Sequence, residues 1–522
     1  MTPNELKKFA ADRFVKHQRV LNLWQTLAEN FYPERADFTQ DHSPGEELGV
    51  GLASSSPIII RRDLANSFEA MLRDGRWFEI GVDGNSDHMG KAWLEFASDR
   101  MFKLMNHRVA NFRRATKEGD HDYTTFGNAV ISVEANKFKT GLLYRSWHLR
   151  DCAWWDGDEG QVGGLVRRWK PKLYEAASYF GIENLHPDIQ QKIKDHKSFD
   201  EMDIRHFDIT STMYGDEEYM RFDRVSCWLD VVNEVMIKVE GRKSKTYVVP
   251  RFQTIAGSPY AYSLATVVGL PEARTLQSMT HTLLEAGERL ARPPLIATEK
   301  VIRGDANLFS DGITYVSAEH DERISGAPIR PLNLSTGGFP YGLEMRDNVL
   351  EVLSSAFYLN KISLPETTHE MTAYEVSERM KQYRRENLPL FAPMEHEYNG
   401  QLCETSFDIL MDMGMFGSHQ DIPDSLKEKE VIFHFQSPLS QSQEEKKATT
   451  FSQVSALLAE AAQHDESVAM NVDFDTAIRD AIDGVGAPAN WLNQVEKVDQ
   501  MKQQQAQIQQ AAMESEMVAN EG

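Results

Sequence analysis

Apolar residues recur at helical spacing in two stretches near the middle of the chain. From Pro271 to Arg292, Leu276, Met279, Leu283 and Leu290 fall on one stripe with charged residues between them. Pro271 suits a first helical position, and Pro293-Pro294 ends the run, which predicts a helix about 33 Å long. A second stripe, Val349, Leu350, Leu353, Ala356 and Phe357, predicts a helix over Tyr341–Leu359. Between them, short apolar runs (295–297 and 313–316) alternate with turn signals at Asp311-Gly312 and Ser325-Gly326, as in a small β-containing insert.

The remaining pattern divides into a mixed region before these helices and a helical region after them. Leu6, Phe9, Phe14, Leu21, Trp24, Ala28 and Phe31 predict an amphipathic N-terminal helix or pair that stops at Pro33. Residues 39–57 are polar and rich in Gly and Ser, as in a surface loop. Helices are expected over Ile59–Leu72 and Ala92–Thr116, with a strand at Trp77–Ile80 between them. From Thr125 the period shortens to two. Strands are predicted over 129–134, 142–149, 161–169, 206–214, 219–230 and 234–239, with short helices near 172–180 and 187–196. The fold class is therefore α+β. Met371–Met413 has helical spacing, which Pro389 and Pro393 must kink or break. Val431–Gln436 alternates like a strand that returns to the earlier sheet.

Composition narrows the function classes. No run of 18 apolar residues exists, so no spanning helix is predicted, and the polar Met1–Ala10 segment is no secretory signal. Cys152, Cys227 and Cys403 lie far apart and read as free thiols in a reducing compartment. A net charge of −23 argues against a sequence-reading nucleic-acid binder, which would present a basic face. It is compatible with a protein that lets nucleic acid slide past. Over 440–522 there are 14 acidic and 5 basic residues, a net of −9, and 499–512 is Gln-rich.

Motifs for catalysis are missing. His369-Glu370 starts like a zinc-protease helix, but Ala373 stands where the second histidine belongs. Asp156, Asp158 and Gly160 hint at a calcium loop, yet the later bidentate acid falls on Arg167, so a tight acidic turn between strands is the better reading. No G-x-x-x-x-G-K-[ST] occurs, and Asp63, Asp74, Asp120 and Asp122 are scattered. Trp147, Trp154, Trp155, Trp169 and Trp228 interleave with Arg145, Arg150, Arg167 and Arg168. Base stacking is one reading; the preferred one packs the rings into a core with the arginines facing water. No catalytic, cofactor or metal residue is assigned.

Several stretches, in this order, resemble the head-to-tail connecting (portal) proteins of short-tailed bacteriophages, the podovirus type. They are Trp24-x-x-Leu-Ala-Glu-Asn-Phe-Tyr-Pro33, Arg62–Phe68 leading to Trp77-Phe78, Phe126–Glu134, Gly160–Arg168 and Phe180–Leu185. Gly257-Ser-Pro-Tyr260, Arg292-Pro-Pro-Leu295, Met371–Arg379 and Phe435–Gln443 continue the series. The resemblance implies a wing (1–270), stem helices (271–293 and 340–359) around a clip (294–339), and a channel loop (360–371). A long kinked wing helix with a returning strand (372–439) and an acidic helical crown with a Gln-rich tail (440–522) would follow.

The same resemblance implies a ring of identical subunits, usually twelve, at one capsid vertex of the virion, assembled in the host cytoplasm. Double-stranded DNA would pass through it non-specifically. Terminase, a tail adaptor, and the major capsid and scaffolding proteins would be its partners, with no membrane, no cofactor and no enzymatic activity of its own. On that plan Leu276, Leu283, Leu290, Leu350 and Phe357 are candidates for subunit contacts. Glu285, Glu288, Asp347 and Glu351 are candidates for an acidic channel wall, and Lys361 and His369 for DNA contact at the loop. The alternatives are a nucleic-acid-processing enzyme with a metal site outside the known motifs, and an acidic capsid scaffold.

Overall fold

The computed structural model describes residues 1–43, 45–73, 75–83, 87–158, 160–298, 302, 313–332, 338–359, 394–417, 422–427, 429–435, 450–459, 472–484, 497–498, 500–504 and 507–508. Helix and sheet are mixed, in keeping with the α+β expectation. In chain order α1 (Pro3–Phe31) and α2 (Ser56–Leu72) precede β1 (Phe78–Val82), α3 (His88–Met105) and α4 (Phe112–Phe126). Then come β2 (Ile131–Ala135), β3 (Leu142–Ser146), β4 (Cys152–Asp156), β5 (Val162–Trp169), α5 (Leu173–Phe180), α6 (Pro187–Lys194) and β6 (Ile204–Thr210). A short α7 (Ser211–Tyr214) leads to β7 (Arg224–Asp230), β8 (Val235–Arg242) and β9 (Tyr247–Val248). The second half holds α8 (Leu270–Ala291), β10 (Leu295–Ala297), α9 (Glu322–Ser325), β11 (Ile329–Pro331) and α10 (Phe339–Ala356). Finally come α11 (Gln401–Asp412), β12 (Val431–Phe435) and α12 (Phe474–Gly484).

The chain forms two compact units, and the division passes through α1 and α2. The first comprises Met1–Arg19, Ala65–Tyr262 and Leu364–Gly522; the second Val20–Leu64 and Ser263–Ser363.

The first unit is built on a five-stranded antiparallel sheet in the order β4-β5-β6-β7-β8. Side chains alternate between its faces. Ala153, Trp155, Val166, Phe207, Ile209, Val225, Cys227 and Leu229 point one way, onto Leu6, Ala10 and Phe14 of α1, which recur every four residues. Burying a Leu or Phe side chain of this kind stabilises by about 1.5–3 kcal/mol. On the opposite face Ile204 and Trp228 meet Leu173, Ala176 and Phe180 of α5 and Ile189 of α6.

That second face also carries polar groups. His206 stacks on Trp228 at 4.0 Å between ring centroids and bonds through its two nitrogens to Tyr247 Oη and Ser226 Oγ. Burial holds His206 neutral by pushing its pKa far below the ordinary value, and the nearby Arg167 adds to this. Arg167 donates to Tyr247 Oη at 2.8 Å and lies 3.7 Å from the centroid of the Trp147 ring. The expectation that the arginines face water therefore fails at Arg167, which is buried, while Arg145 is exposed. The aromatic rings Trp154, Trp155 and Trp228 are in the core as read.

A three-stranded sheet, β3-β2-β9, packs against α4 and α11, with Tyr144 Oη 2.5 Å from Ser406 Oγ. Tight motif residues close this layer. Gly127 takes a φ of +75° that ends α4, and Asn128 bonds to Phe126 O, Ala261 O and Ala261 N. Gly257 has a φ of +86°, after which Pro259 O accepts from Trp154 Nε1 at 2.8 Å and Tyr260 sits against the Trp154 ring.

Two further expectations are corrected. The region 92–116 is not one helix: α3 stops at Met105, and α4 starts after Asn111 in a left-handed conformation with φ +58°. The returning strand β12 joins β1 in a separate antiparallel pair, not the large sheet, with Trp77 stacked on Phe112 and Phe435. The acidic turn at 156–160 does connect two strands, β4 and β5. The three cysteines are free and buried.

Distant parts of the first unit meet at one ion pair. Arg73 donates to both carboxylate oxygens of Asp120, at 2.8 and 2.9 Å, and through Nε to Asn399 Oδ1 at 3.0 Å. Its guanidinium also lies 4.7 Å from the Tyr398 ring centroid. Burial opposes charge on Arg73, but Asp120, Tyr398 and Glu69 together outweigh it and the pKa moves up; burial raises Asp120, which Arg73 partly offsets. Two parallel N–H donors on one carboxylate favour the ionised pair.

Asp120→Ala leaves a buried guanidinium without its counter-charge and should destabilise the chain by about 3–5 kcal/mol. Urea unfolding of the variant checks this. Replacing both partners, Arg73→Met with Asp120→Leu, should cost clearly less, because no charge is then stranded.

Candidate functional site

The second unit holds the helix pair that the sequence pattern marks as its centre. A buried α1 segment, Trp24, Leu27, Ala28 and Phe31, forms its base. Gln25 pins the chain after α1: its amide donates to Ala36 O at 2.8 Å, and its carbonyl accepts from Phe38 N and Thr39 N. Arg61 is buried over the Tyr32 ring and donates to Phe31 O. The Gly/Ser-rich segment is tied down near its end, where Ser54 N and O both bond to the Gln277 side chain, at 2.9 and 2.7 Å.

Helix α8 follows a wide π-type turn over Ala265–Gly269, and α10 returns beside it. Two glycines permit the approach. A Cβ on Gly342 would stand 2.7 Å from Leu283 Cδ2, and one on Gly269 would stand 2.9 Å from Phe357 and 3.1 Å from Phe31. Since 269 faces 357 and 283 faces 342, the helices run antiparallel. Phe31 and Phe357 close one end at 5.6 Å between centroids. Beyond α8, β10 pairs antiparallel with β11, Ile302 bridges to Val316, and α9 lies between.

The named candidates separate by environment. Leu276 and Phe357 are enclosed within this unit, Leu283 and Leu350 are half-buried, and Leu290 is exposed. Glu285, Glu288, Asp347 and Glu351 are all exposed. Glu285 pairs with Arg289 one turn on, and Asp347 with Arg346 at 2.7 Å. Over α8, Glu272, Glu285 and Glu288 stand against Arg274 and Arg289, a net of −1; over α10, Glu344, Asp347 and Glu351 against Arg346 give −2. The pair is mildly acidic and carries unpaired as well as paired carboxylates among the described residues. Lys361 and His369, with the whole loop 360–371, lie outside the described residues, as do Pro389, Pro393 and the His369-Glu370 motif.

Sequence reasoning missed the exposed apolar side chains. Leu284 on α8 and Tyr341, Met345 and Val352 on α10 are 58%, 71%, 61% and 43% exposed. Tyr341, Met345 and Val352 are spaced by four and seven residues and so share one side of α10. They fall off the buried stripe, and periodicity alone assigns such positions to solvent. Gly342, inside the predicted second helix, was the available signal for close packing; Gly269 lies just before the predicted first helix.

Nothing among the described residues is arranged for metal chemistry: no group of three His, Cys, Asp or Glu side chains converges. Glu404, Asp408 and Asp412 do recur every four residues on α11 of the first unit. There burial, helped by Asp412, pushes Asp408 up to about 6, and Lys243 offsets part of it. No helix among the described residues is long and apolar enough to cross a membrane.

Comparison with known proteins adds an independent line. Residues 5–492 match a family described as bacteriophage head to tail connecting protein. The portal protein of Salmonella phage epsilon15 is 19% identical over 513 residues, covering 94% of this chain and 88% of that protein.

The two glycines should respond differently to substitution. Alanine gains about 1 kcal/mol of helix propensity at either site. At Gly342 the only close atom is the tip of a half-buried leucine, so Gly342→Ala should be nearly neutral. At Gly269 two aromatic rings and Leu264 O enclose the position, and Gly269→Ala should destabilise by about 1–3 kcal/mol. Thermal or urea unfolding of the two variants compares them.

Proposed function

The chain belongs to the bacteriophage head to tail connecting protein family, and we propose that it forms a closed portal ring that conducts double-stranded DNA into and out of the capsid. The carrying observation is the antiparallel α8–α10 pair, joined by a small β-containing insert, in a chain that matches this family nearly end to end. The exposed apolar side chains Leu284, Leu290, Tyr341, Met345 and Val352 need a neighbour to cover them, and a heterologous contact that closes on itself makes a ring. Twelve subunits at one vertex is the arrangement this reading takes. Leu283 and Leu350 would contribute their exposed parts, whereas Leu276 and Phe357 would support the pair from within.

A conduit must not hold its cargo. Each phosphate neutralised by Lys or Arg adds salt-dependent affinity, so a basic wall would stall the duplex. Glu285, Glu288, Asp347 and Glu351 would give the channel an acidic wall that repels the backbone. Lys361, one per subunit, would break that field at the loop 360–371 with a weak, sequence-independent contact, and His369 would be a titratable point beside it. The insert between the helices, the clip at 294–339, would dock the terminase during packaging and a tail adaptor afterwards, through its short strand edges. Capsid and scaffolding proteins would surround the ring.

Lys361→Glu tests the channel. Rings should assemble normally, while packaged DNA length or retention falls in phage carrying the variant. Heads that fill and hold DNA like wild type would remove the loop from the DNA path.

A further inference from the structure

A cavity of about 350 Å³ opens in the first unit where α1 lies over the sheet. Lys7, Phe14 and Val15 of α1 line it together with Arg168 of β5, Arg205 of β6 and Val231. In a chain of net charge −23, three cations at one concave site are a local reversal of sign. Two are committed. Lys7 pairs with Glu234 at 2.7 Å, and Arg205 is clamped by both oxygens of Asp203. Arg168 differs. Its guanidinium lies 3.7 Å from the centroid of the Phe14 ring, and no carboxylate among the described residues lies within ion-pair distance of it. Its Nε is buried without a hydrogen-bond partner. Burial and the like charge of Arg205 push its pKa down, and the more distant Asp151 and Asp203 offset this only in part.

An arginine fork backed by an aromatic ring is built for a planar carboxylate. The wall beside it is apolar: Ala10, Phe14 and Val231, with Val15 62% exposed at the rim. A duplex phosphate backbone engages many cations at once, and this site offers one uncommitted cation in an apolar groove. The stem of a glutamate fits such a surface while its head reaches the guanidinium. The chain itself supplies such groups in excess, with 79 acidic against 56 basic residues. In a ring, a second copy is held at high effective concentration.

We infer that the Arg168 groove receives a carboxylate from an acidic segment of a second copy of this chain, completing a site that one subunit leaves unfilled. This rests on the ring reading above.

The test places a photo-crosslinking residue at the rim, Val15→p-benzoylphenylalanine, in the full chain, with particle mass measured before irradiation. The expected result is a ring in which the label joins two copies through an acidic peptide, identified by mass spectrometry. The yield should fall several-fold with Arg168→Glu and stand between that and wild type with Arg168→Lys, which keeps the charge without the fork. Rings whose crosslinks stay within one chain, join a non-acidic peptide, or persist unchanged with Arg168→Glu would overturn this inference and leave the ring reading intact. Particles of single-subunit mass would overturn the ring reading, and this inference with it.

Discussion

The first unit depends on the buried pairing of Arg73 with Asp120. Residue 73 follows α2, residue 120 lies in α4, and Asn399 comes from a segment 326 positions further along the chain than Arg73. A buried charge alone would cost several kcal/mol, so each partner is tolerable only where the others are in place. The pair therefore acts less as a source of net stability than as a condition on how these segments meet. Tyr398 reinforces it, with its ring under the guanidinium and its hydroxyl donating to Thr116 O at 3.2 Å. Gly119 is small enough to let that hydroxyl approach, since a Cβ there would stand 2.6 Å from it.

Around this point the layers follow from simple alternation. The five-stranded sheet buries apolar side chains on both faces, and polar residues on its second face bond to one another, as His206 does to Tyr247 and Ser226. Asp208 illustrates the closure: it accepts from Arg224 Nε at 2.9 Å and from Thr246 N, tying β6 to β7 and to the chain entering β9. The second unit uses a different device. Its helices approach through glycines and are locked at the ends by Phe31, Phe357 and the Gln277–Ser54 bonds. That leaves the outer sides of α8 and α10 free to carry carboxylates and uncovered apolar groups.

Much of this was legible in the sequence, because burial on one or two faces imposes a period. Strands β2, β3 and β5, helices α5 and α6, and the pair α8 and α10 fall within a few residues of their predicted bounds, whereas β4 was not predicted, the strand expected over 206–214 gives way to α7 at Ser211, and β7 starts at Arg224 instead of residue 219. What periodicity could not show depends on partners distant in sequence. Arg167 looks like a solvent-facing charge until Trp147 and Tyr247 close over it. The break between α3 and α4 rests on Asn111 adopting positive φ, a local cost that asparagine bears better than most residues. Strand β12 alternates in the same way whether it joins a large sheet or β1, so pattern alone could not choose its partner. At the candidate site, the exposed carboxylates were legible as charges between apolar positions, but Leu284 and Met345 could be recognised as uncovered only once their surroundings were known.

The central claim is that this chain works as a closed ring. Electron microscopy of the purified full-length protein, with particle mass measured in parallel, tests it most directly. The account predicts ring-shaped particles with an axial channel, at a mass that is an integral multiple of 59.4 kDa and consistent with about a dozen copies. A monodisperse single-subunit species that persists at micromolar concentration and low salt, with no channel-bearing particle, would contradict it.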